Sequence, residues 1–209
     1  MINSHNFSTK CSPTWCPGCN NFLIFALLQK ALKDNQLTKH NTVISYDIGC
    51  AGNMADFIDT YGIHTLHGRA LSVAVGVKLA NPKLNVFVIV GDGGIYGEGL
   101  NHLIASARAN HDLKVIVSNN HLYSLTTGQA SPTTSKGAFT KSTPFGVTNE
   151  AIDPQKLLKA INPKVKVIQV DGTKPAQLST ALNFAIKHTG FVLVDVLQDC
   201  VSFGKQLKT

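Results

Sequence analysis

At 209 residues, with 44% hydrophobic and 15% charged positions, the chain is long enough to bury one sizeable core and too short for two ordinary domains; a disordered polymer is excluded. Its net charge of +7 is carried by lysines scattered along the sequence, with no basic run and no nucleic-acid motif, so an anionic cofactor or an acidic protein partner is a better reading than nucleic acid. The polar start MINSHNFSTK has no apolar core, and apolar stretches such as 22–28 are far shorter than a membrane span, which gives the expectation of a cytoplasmic protein without signal peptide or membrane segment.

Residues 1–14 read as an irregular arm. Trp15-Cys16-Pro17-Gly18-Cys19 and Asn20-Asn21 then introduce an amphipathic helix to about residue 33, on which Phe22, Phe25, Ala26, Leu28 and Leu32 keep helical spacing. The CxxC thus precedes a helix start, where free amide donors and the helix dipole favour thiolates. Residues 42–46 read as a strand that ends in a glycine-bearing turn, Asp47-Ile48-Gly49-Cys50-Ala51-Gly52-Asn53. The segment 61–69, YGIHTLHGR, is expected to be a connection, and 69–80 a buried helix whose small residues pack closely on a sheet. Residues 86–90 and 115–117, apolar and β-branched, read as buried parallel strands. Leu100, Leu103, Ile104 and Ala107 recur between them at helical spacing, so the unit is β-α-β. Residues 121–149 lack periodicity, and a segment this long in a compact domain is usually functional or mobile. A short helix from Asp153-Pro154, a strand at 165–170, a helix at 174–188 and a strand at 191–197 complete the alternation. It predicts a single α/β domain over 1–209, with a doubly wound, mostly parallel sheet.

The polar punctuation falls where the two central strands end: Gly91-Asp92-Gly93-Gly94 after the first, Asn119-Asn120 after the second. Ligands of open α/β sheets bind outside the carboxyl ends of strands, so Asp92 and Asn120 are expected to share one crevice. Carboxylate and amide oxygens suit a hard cation such as Mg2+, which takes substrate phosphates as further ligands. Gly91, Gly93 and Gly94 let the backbone approach a diphosphate closely. No G-x-G-x-x-G starts at Gly91, since Tyr96 stands where the third glycine would be, and there is no G-K-[ST]. The two-ended pattern resembles the GDG…NN signature of thiamine diphosphate enzymes.

The five cysteines are Cys11, Cys16, Cys19, Cys50 and Cys200. An odd number in a chain of cytosolic appearance argues against a disulfide framework. A CxxC with two distant single cysteines suits either a tetrahedral zinc site or a 4Fe-4S cluster, and spacing does not separate the two.

The combination of TWCPGC (14–19), DIGC (47–50), YGIHTLHGRA (61–70), GDGG (91–94), NN (119–120), GQASPTT (128–134) and QDC (198–200) resembles the β subunit of 2-oxoacid:ferredoxin oxidoreductases, over nearly all of residues 12–203. The resemblance implies the diphosphate-binding fold of thiamine enzymes, holding thiamine diphosphate with Mg2+ and one 4Fe-4S cluster. On this carry-over Cys16, Cys19, Cys50 and Cys200 are cluster ligands and Cys11 is a spare thiol. Asp92, Asn120 and the carbonyl of Leu122 would hold Mg2+, and Gly91, Gly93 and Gly94 would face the diphosphate. Ile48, Gly49, Cys50, His67, Gly68, Arg69, Tyr123 and Leu125 complete the cofactor-binding set. His67 and Arg69 are the expected catalytic cations, beside a diphosphate and a 2-oxoacid carboxylate.

The activity implied is oxidative decarboxylation of a 2-oxoacid with coenzyme A to acyl-CoA and CO2, with electrons leaving singly through the cluster to ferredoxin. Such enzymes need a glutamate against the aminopyrimidine ring, from a pyrimidine-binding domain that no motif here supplies. Glu98 and Glu150 lie in none, so an α subunit is expected to bring it, in a heterodimer or larger hetero-oligomer. Members of the family continue well past the last cluster cysteine, whereas this sequence stops at Thr209, so a closing tail is either missing or supplied by a partner. Asn53 offers no positive charge for a second substrate carboxylate, and pyruvate, 2-oxoglutarate and branched-chain oxoacids all stay open. The alternatives are a non-redox thiamine diphosphate lyase or decarboxylase subunit with structural zinc, or a non-catalytic metal-binding subunit.

Overall fold

The computed structural model describes residues 6–207; residues 1–5 and 208–209, which open the arm and close the expected domain, lie outside the described residues. The chain runs through α1 (Asn21–Asp34), β1 (Thr42–Tyr46), β2 (Tyr61–His64), α2 (Ala70–Ala80), β3 (Asn85–Gly91), α3 (Leu100–Ala109) and β4 (Lys114–Asn119). It continues through β5 (Leu122–Tyr123), β6 (Gln129–Ala130), α4 (Pro154–Ile161), β7 (Lys166–Asp171), α5 (Pro175–Lys187) and β8 (Val192–Leu197). Six strands form one parallel sheet in the order β2-β1-β3-β4-β8-β7.

Both faces of this sheet are covered, which is why its central strands read as unbroken apolar runs. On β3, Phe87 and Ile89 pack on one face with Ile24, Leu28 and Leu32 of α1 and Leu178 and Leu182 of α5. Val86, Val88 and Val90 pack on the other with Leu71 and Ala74 of α2, Leu103 and Ala107 of α3 and Leu158 of α4. Each large aliphatic side chain buried in this way contributes roughly 1.5–3 kcal/mol. The start of α4 is as read from the sequence. Asp153 Oδ1 accepts the amides of Gln155 and Lys156, both at 3.0 Å, and Pro154 occupies the first turn.

Two segments differ from the sequence reading. Residues 61–64 are a strand, not a connection; all four are exposed at this edge of the sheet, and pairing with β1 defines them. Inside 121–149 lies a short antiparallel hairpin of β5 and β6, turned at Thr127 (φ 78°) and Gly128 (φ 97°). The described part of the arm is irregular, as read, and it is pinned: Phe7 is buried in the α1/α5 core, Ser8 bridges to Ile58, and Thr9 donates its amide to Phe57 O. Among the described residues no helix is long and apolar enough to cross a membrane.

The strand order places the site. The chain leaves β1 for β2 on one side, then returns to the other side as β3, so the loops after β1 and β3 diverge and open a crevice between them.

Candidate functional site: a crevice beside four cysteines

A cavity of about 350 Å³ lies at the carboxyl ends of β1, β3 and β4. From the β1 turn Ile48, Gly49 and Cys50 line it, and from the β3 turn Gly91, Asp92, Gly93 and Gly94. Asn120, Leu122, Tyr123 and Leu125 close the wall after β4, with His67 opposite. The β3 turn is tightly packed: a Cβ on Gly93 would meet Tyr123 Cε1 at 2.2 Å, and one on Gly94 would meet Asp47 Oδ2 at 2.8 Å. Glycine is therefore required here by close approach.

Asp92 is only 2% exposed. Its Oδ2 accepts the hydroxyls of Ser131 at 2.5 Å and Thr133 at 2.8 Å. Burial raises its pKa, and these hydroxyls oppose the shift. Asn120 Oδ1 accepts the amide of Leu122 at 3.1 Å, folding the wall around His121, which sits at φ 61°. Asn21, at the head of α1, joins the cavity wall to the strands behind it, accepting Ser118 Oγ at 2.9 Å and Gln198 Nε2 at 3.2 Å.

His67 stands between two carboxylates, with Nδ1 3.4 Å from Glu98 Oε2 and 3.6 Å from Asp47 Oδ1. Glu98 also accepts the phenol of Tyr123 at 3.1 Å, and burial together with Glu98 pushes that phenol upward in pKa. Asp47 is buried and accepts the amides of Ile48 (2.6 Å) and Gly68 (2.9 Å); burial raises its pKa against these bonds. Gly68 and Arg69 do not reach the cavity lining. The Arg69 guanidinium instead donates to the carbonyls of Glu98 (2.9 Å) and Gly68 (3.3 Å), clamping its own loop to the start of α3.

Gly68 adopts φ +73°, and a Cβ there would lie 2.5 Å from Glu98 C. Gly68→Ala is expected to cost on the order of 3 kcal/mol, from left-handed strain and forced displacement of the Glu98 backbone. Urea denaturation of the two proteins measures it.

Cys16, Cys19, Cys50 and Cys200 lie within electrostatic range of one another beside this cavity. Burial pushes the Cys50 thiol up to about 11, and the charges of Cys19, Cys200 and Cys16 add to that rise. Cys19 is raised by burial and by Cys16 and Cys200, against a hydrogen bond from the amide of Asn21. Phe203 N–H lies 3.4 Å from Cys200 Sγ and Ser202 Oγ 3.2 Å from Cys16 Sγ, while Trp15 Nε1 donates to Cys50 O at 2.6 Å. Cys50 belongs to both sets, lining the cavity and sensing the other three thiols. Among the described residues, no three His, Cys, Asp or Glu side chains gather closely enough to hold a metal ion. One carboxylate with an amide and a carbonyl, as at Asp92, falls outside that grouping.

Residues 47–196 match the family of thiamine pyrophosphate enzymes, C-terminal TPP binding domain. The chain is 40% identical over 199 residues to the 2-oxoacid:ferredoxin oxidoreductase 1 subunit beta of Aeropyrum pernix, covering 95% of this chain and 62% of that protein. It is 40% identical over 193 residues to the 2-oxoglutarate synthase subunit KorB of Archaeoglobus fulgidus, covering 92% of this chain and 72% of that one. It belongs to the β-subunit family of the 2-oxoacid:ferredoxin oxidoreductases. A solved 2-oxoglutarate:ferredoxin oxidoreductase from Magnetococcus marinus, with 2-oxoglutarate, coenzyme A and succinyl-CoA bound, superposes with a TM-score of 0.92 at 32% identity, over 97% of this chain and 70% of that one. The chain thus spans between three-fifths and three-quarters of the length of these family members.

A hard cation with a diphosphate fits this wall: carboxylate, amide and carbonyl oxygens stand beside a glycine turn. Ser124, which lines the cavity, has a buried Oγ without a hydrogen-bond partner, a donor left for a ligand. Sequence reading missed Asp47, Glu98, Asn21, Ser124, Ser131 and Thr133. Asp47 was legible as an acidic residue at a strand end, level with Asp92. Glu98 was legible four residues after Gly94. Ser131 and Thr133 lie within the GQASPTT motif, in a segment without periodicity, and nothing in that motif says that they reach Asp92.

Proposed function

We propose that residues 1–209 form the thiamine diphosphate- and Mg2+-binding β subunit of a cytoplasmic 2-oxoacid:ferredoxin oxidoreductase. It decarboxylates a 2-oxoacid oxidatively with coenzyme A and hands the electrons to ferredoxin through a 4Fe-4S cluster. One observation carries the redox reading: Cys50 lies in the cofactor cavity and within electrostatic reach of Cys16, Cys19 and Cys200. Electrons released in the cavity then have an exit one residue away.

Thiamine diphosphate, when bound, supplies the nucleophilic carbon and the thiazolium electron sink. The chain's own part is to hold and shield. Asp92, Asn120 and the Leu122 carbonyl hold Mg2+, and the glycine turn carries the diphosphate. His67, kept between Asp47 and Glu98, presents its ring to the cavity as a hydrogen-bonding group. Arg69 supports the site by fixing the His67 loop, since its guanidinium is spent on carbonyls. Cys16, Cys19, Cys50 and Cys200 hold the cluster. The choice of a cluster over zinc rests on the redox chemistry, since zinc has none and would leave the electrons of an oxidative decarboxylation without an exit.

The partner subunit brings the catalytic glutamate. The purified chain alone is therefore expected to show no 2-oxoacid-dependent dye reduction, and addition of the α subunit to restore it. Turnover by the chain alone would refute the division of labour. Presenting pyruvate, 2-oxoglutarate and a branched-chain oxoacid to the reconstituted complex identifies the substrate.

A further inference from the structure

Asp195 lies in the middle of β8 and has no exposed surface. Its neighbours Val192, Val194 and Val196 are also fully buried, and an apolar residue would fill the position without the several kcal/mol that a desolvated carboxylate costs. Among the described residues no lysine or arginine pairs with it. Three neutral groups hold it instead: Tyr96 OH at 3.2 Å on Oδ1, Gln169 Nε2 at 2.9 Å on Oδ2, and Asn119 Nδ2 at 3.1 and 3.3 Å across both oxygens. Tyr96 is the residue that breaks the dinucleotide fingerprint, and here its hydroxyl has a task.

The consequence lies one bond further on. With its NH2 group committed to Asp195, Asn119 must present Oδ1 in the opposite direction. There Oδ1 accepts the amide of His121 at 3.3 Å and meets Thr133 Oγ1 at 3.0 Å. The first contact holds His121 at φ 61°, in the turn that carries Asn120 and the Leu122 carbonyl. The second fixes the hydroxyl that lies 2.8 Å from Asp92 Oδ2. Thr133 has a single hydroxyl hydrogen, placed between the two acceptors Asp92 Oδ2 and Asn119 Oδ1, so the position of the Asn119 oxygen bears on how that hydrogen is shared with Asp92. One amide oxygen thus touches both halves of the cation site, and its direction is set by Asp195.

We propose that Asp195 is a positioning residue for the Mg2+–diphosphate site, acting through the amide orientation of Asn119. The inference rests on the thiamine diphosphate reading above. In Asp195→Asn, an NH2 group replaces one acceptor oxygen and faces the Asn119 NH2 in either orientation, with the Gln169 NH2 as well at the Oδ2 position; the Tyr96 hydroxyl alone can turn to accept. Turning the Asn119 amide over to compensate sets its NH2 against the amide hydrogen of His121, and the turn that carries the ligands loses its tether.

The test is equilibrium binding of thiamine diphosphate in the presence of Mg2+, on the native protein with its co-purifying subunits after the cofactor has been stripped with a chelator. Asp195→Asn is expected to weaken binding about tenfold, as loss of outer-shell support to a metal site does. Asn119→Ala is expected to weaken it at least as much, and Asp195→Asn to add nothing in the Asn119→Ala background. A purely structural Asp195 predicts lower melting temperature with affinity unmoved, or losses that add. Wild-type affinity in Asp195→Asn, or a further loss in the double variant, overturns the proposal. Wild-type affinity in Asn119→Ala overturns it too, and decides the matter if Asp195→Asn does not fold. Failure of the wild-type protein to bind thiamine diphosphate sinks the site reading together with this inference, whereas binding that is indifferent to both substitutions sinks the inference alone.

Discussion

Asp92→Ala is expected to abolish Mg2+-dependent binding of thiamine diphosphate. The β3 turn contributes one carboxylate to the cavity, and the other oxygens expected around the cation, from Asn120 and Leu122, are neutral. Outer-shell groups at metal sites are worth roughly 10–100-fold in affinity, and removal of the charged ligand itself should exceed that range. The fold should survive the change. Asp92 is buried and its pKa is raised by burial, so the carboxylate is held at a cost that alanine does not incur. What remains is a small void and two hydroxyls, Ser131 and Thr133, which also lie within hydrogen-bonding distance of Thr134 Oγ1 and Asn119 Oδ1 respectively. Calorimetry with thiamine diphosphate and Mg2+, beside a thermal melt, separates the two effects. Unchanged cofactor affinity in a folded Asp92→Ala protein would remove the cation site from this turn.

The fold, and the crevice that gathers Asp92 and Asn120, were legible because their signals are local. A strand buried on both faces writes itself as an apolar run, as 86–90 does, and the ligands expected after it follow within two residues. The edge strand β2 was not legible, because Tyr61, Gly62, Ile63 and His64 are all exposed and their pairing partner lies fifteen or more residues away in sequence. The outer support of Asp92 was illegible for a related reason: Ser131 and Thr133 reach it across some forty residues of chain, from a segment without repeating pattern. His67 and Arg69 are neighbours in one motif, yet they part in space. Left-handed Gly68 between them turns His67 to the cavity and leaves Arg69 to bind backbone carbonyls. A motif gives residue type and order, not which side chain faces the ligand.

Replacing Cys16, Cys19, Cys50 or Cys200 singly by serine is expected to remove most of the iron and the ability to reduce ferredoxin, while Cys11→Ser retains both. The four come from three places: the turn before α1, the loop after β1 and the loop after β8. Cys19 and Cys50, both half-buried, are each raised by desolvation and by the charges of the others, so assembling four thiolates without a metal is unfavourable. An iron–sulfur cluster held there would reverse that balance by taking the thiolates as ligands, and loss of one ligand would leave three like charges with an incomplete cluster. Serine is close in size, so packing around Trp15 and Cys50 O should hold and the readout should be the metal, not the fold. Cys11 is exposed and none of the thiol interactions around Cys19 and Cys50 includes it. Iron and sulfide content, with the electron paramagnetic resonance of the dithionite-reduced protein prepared without oxygen, measures the outcome. Stoichiometric zinc without iron in the wild type, or cluster loss confined to the Cys11 variant, would overturn the ligand set and with it the route by which electrons leave the cavity.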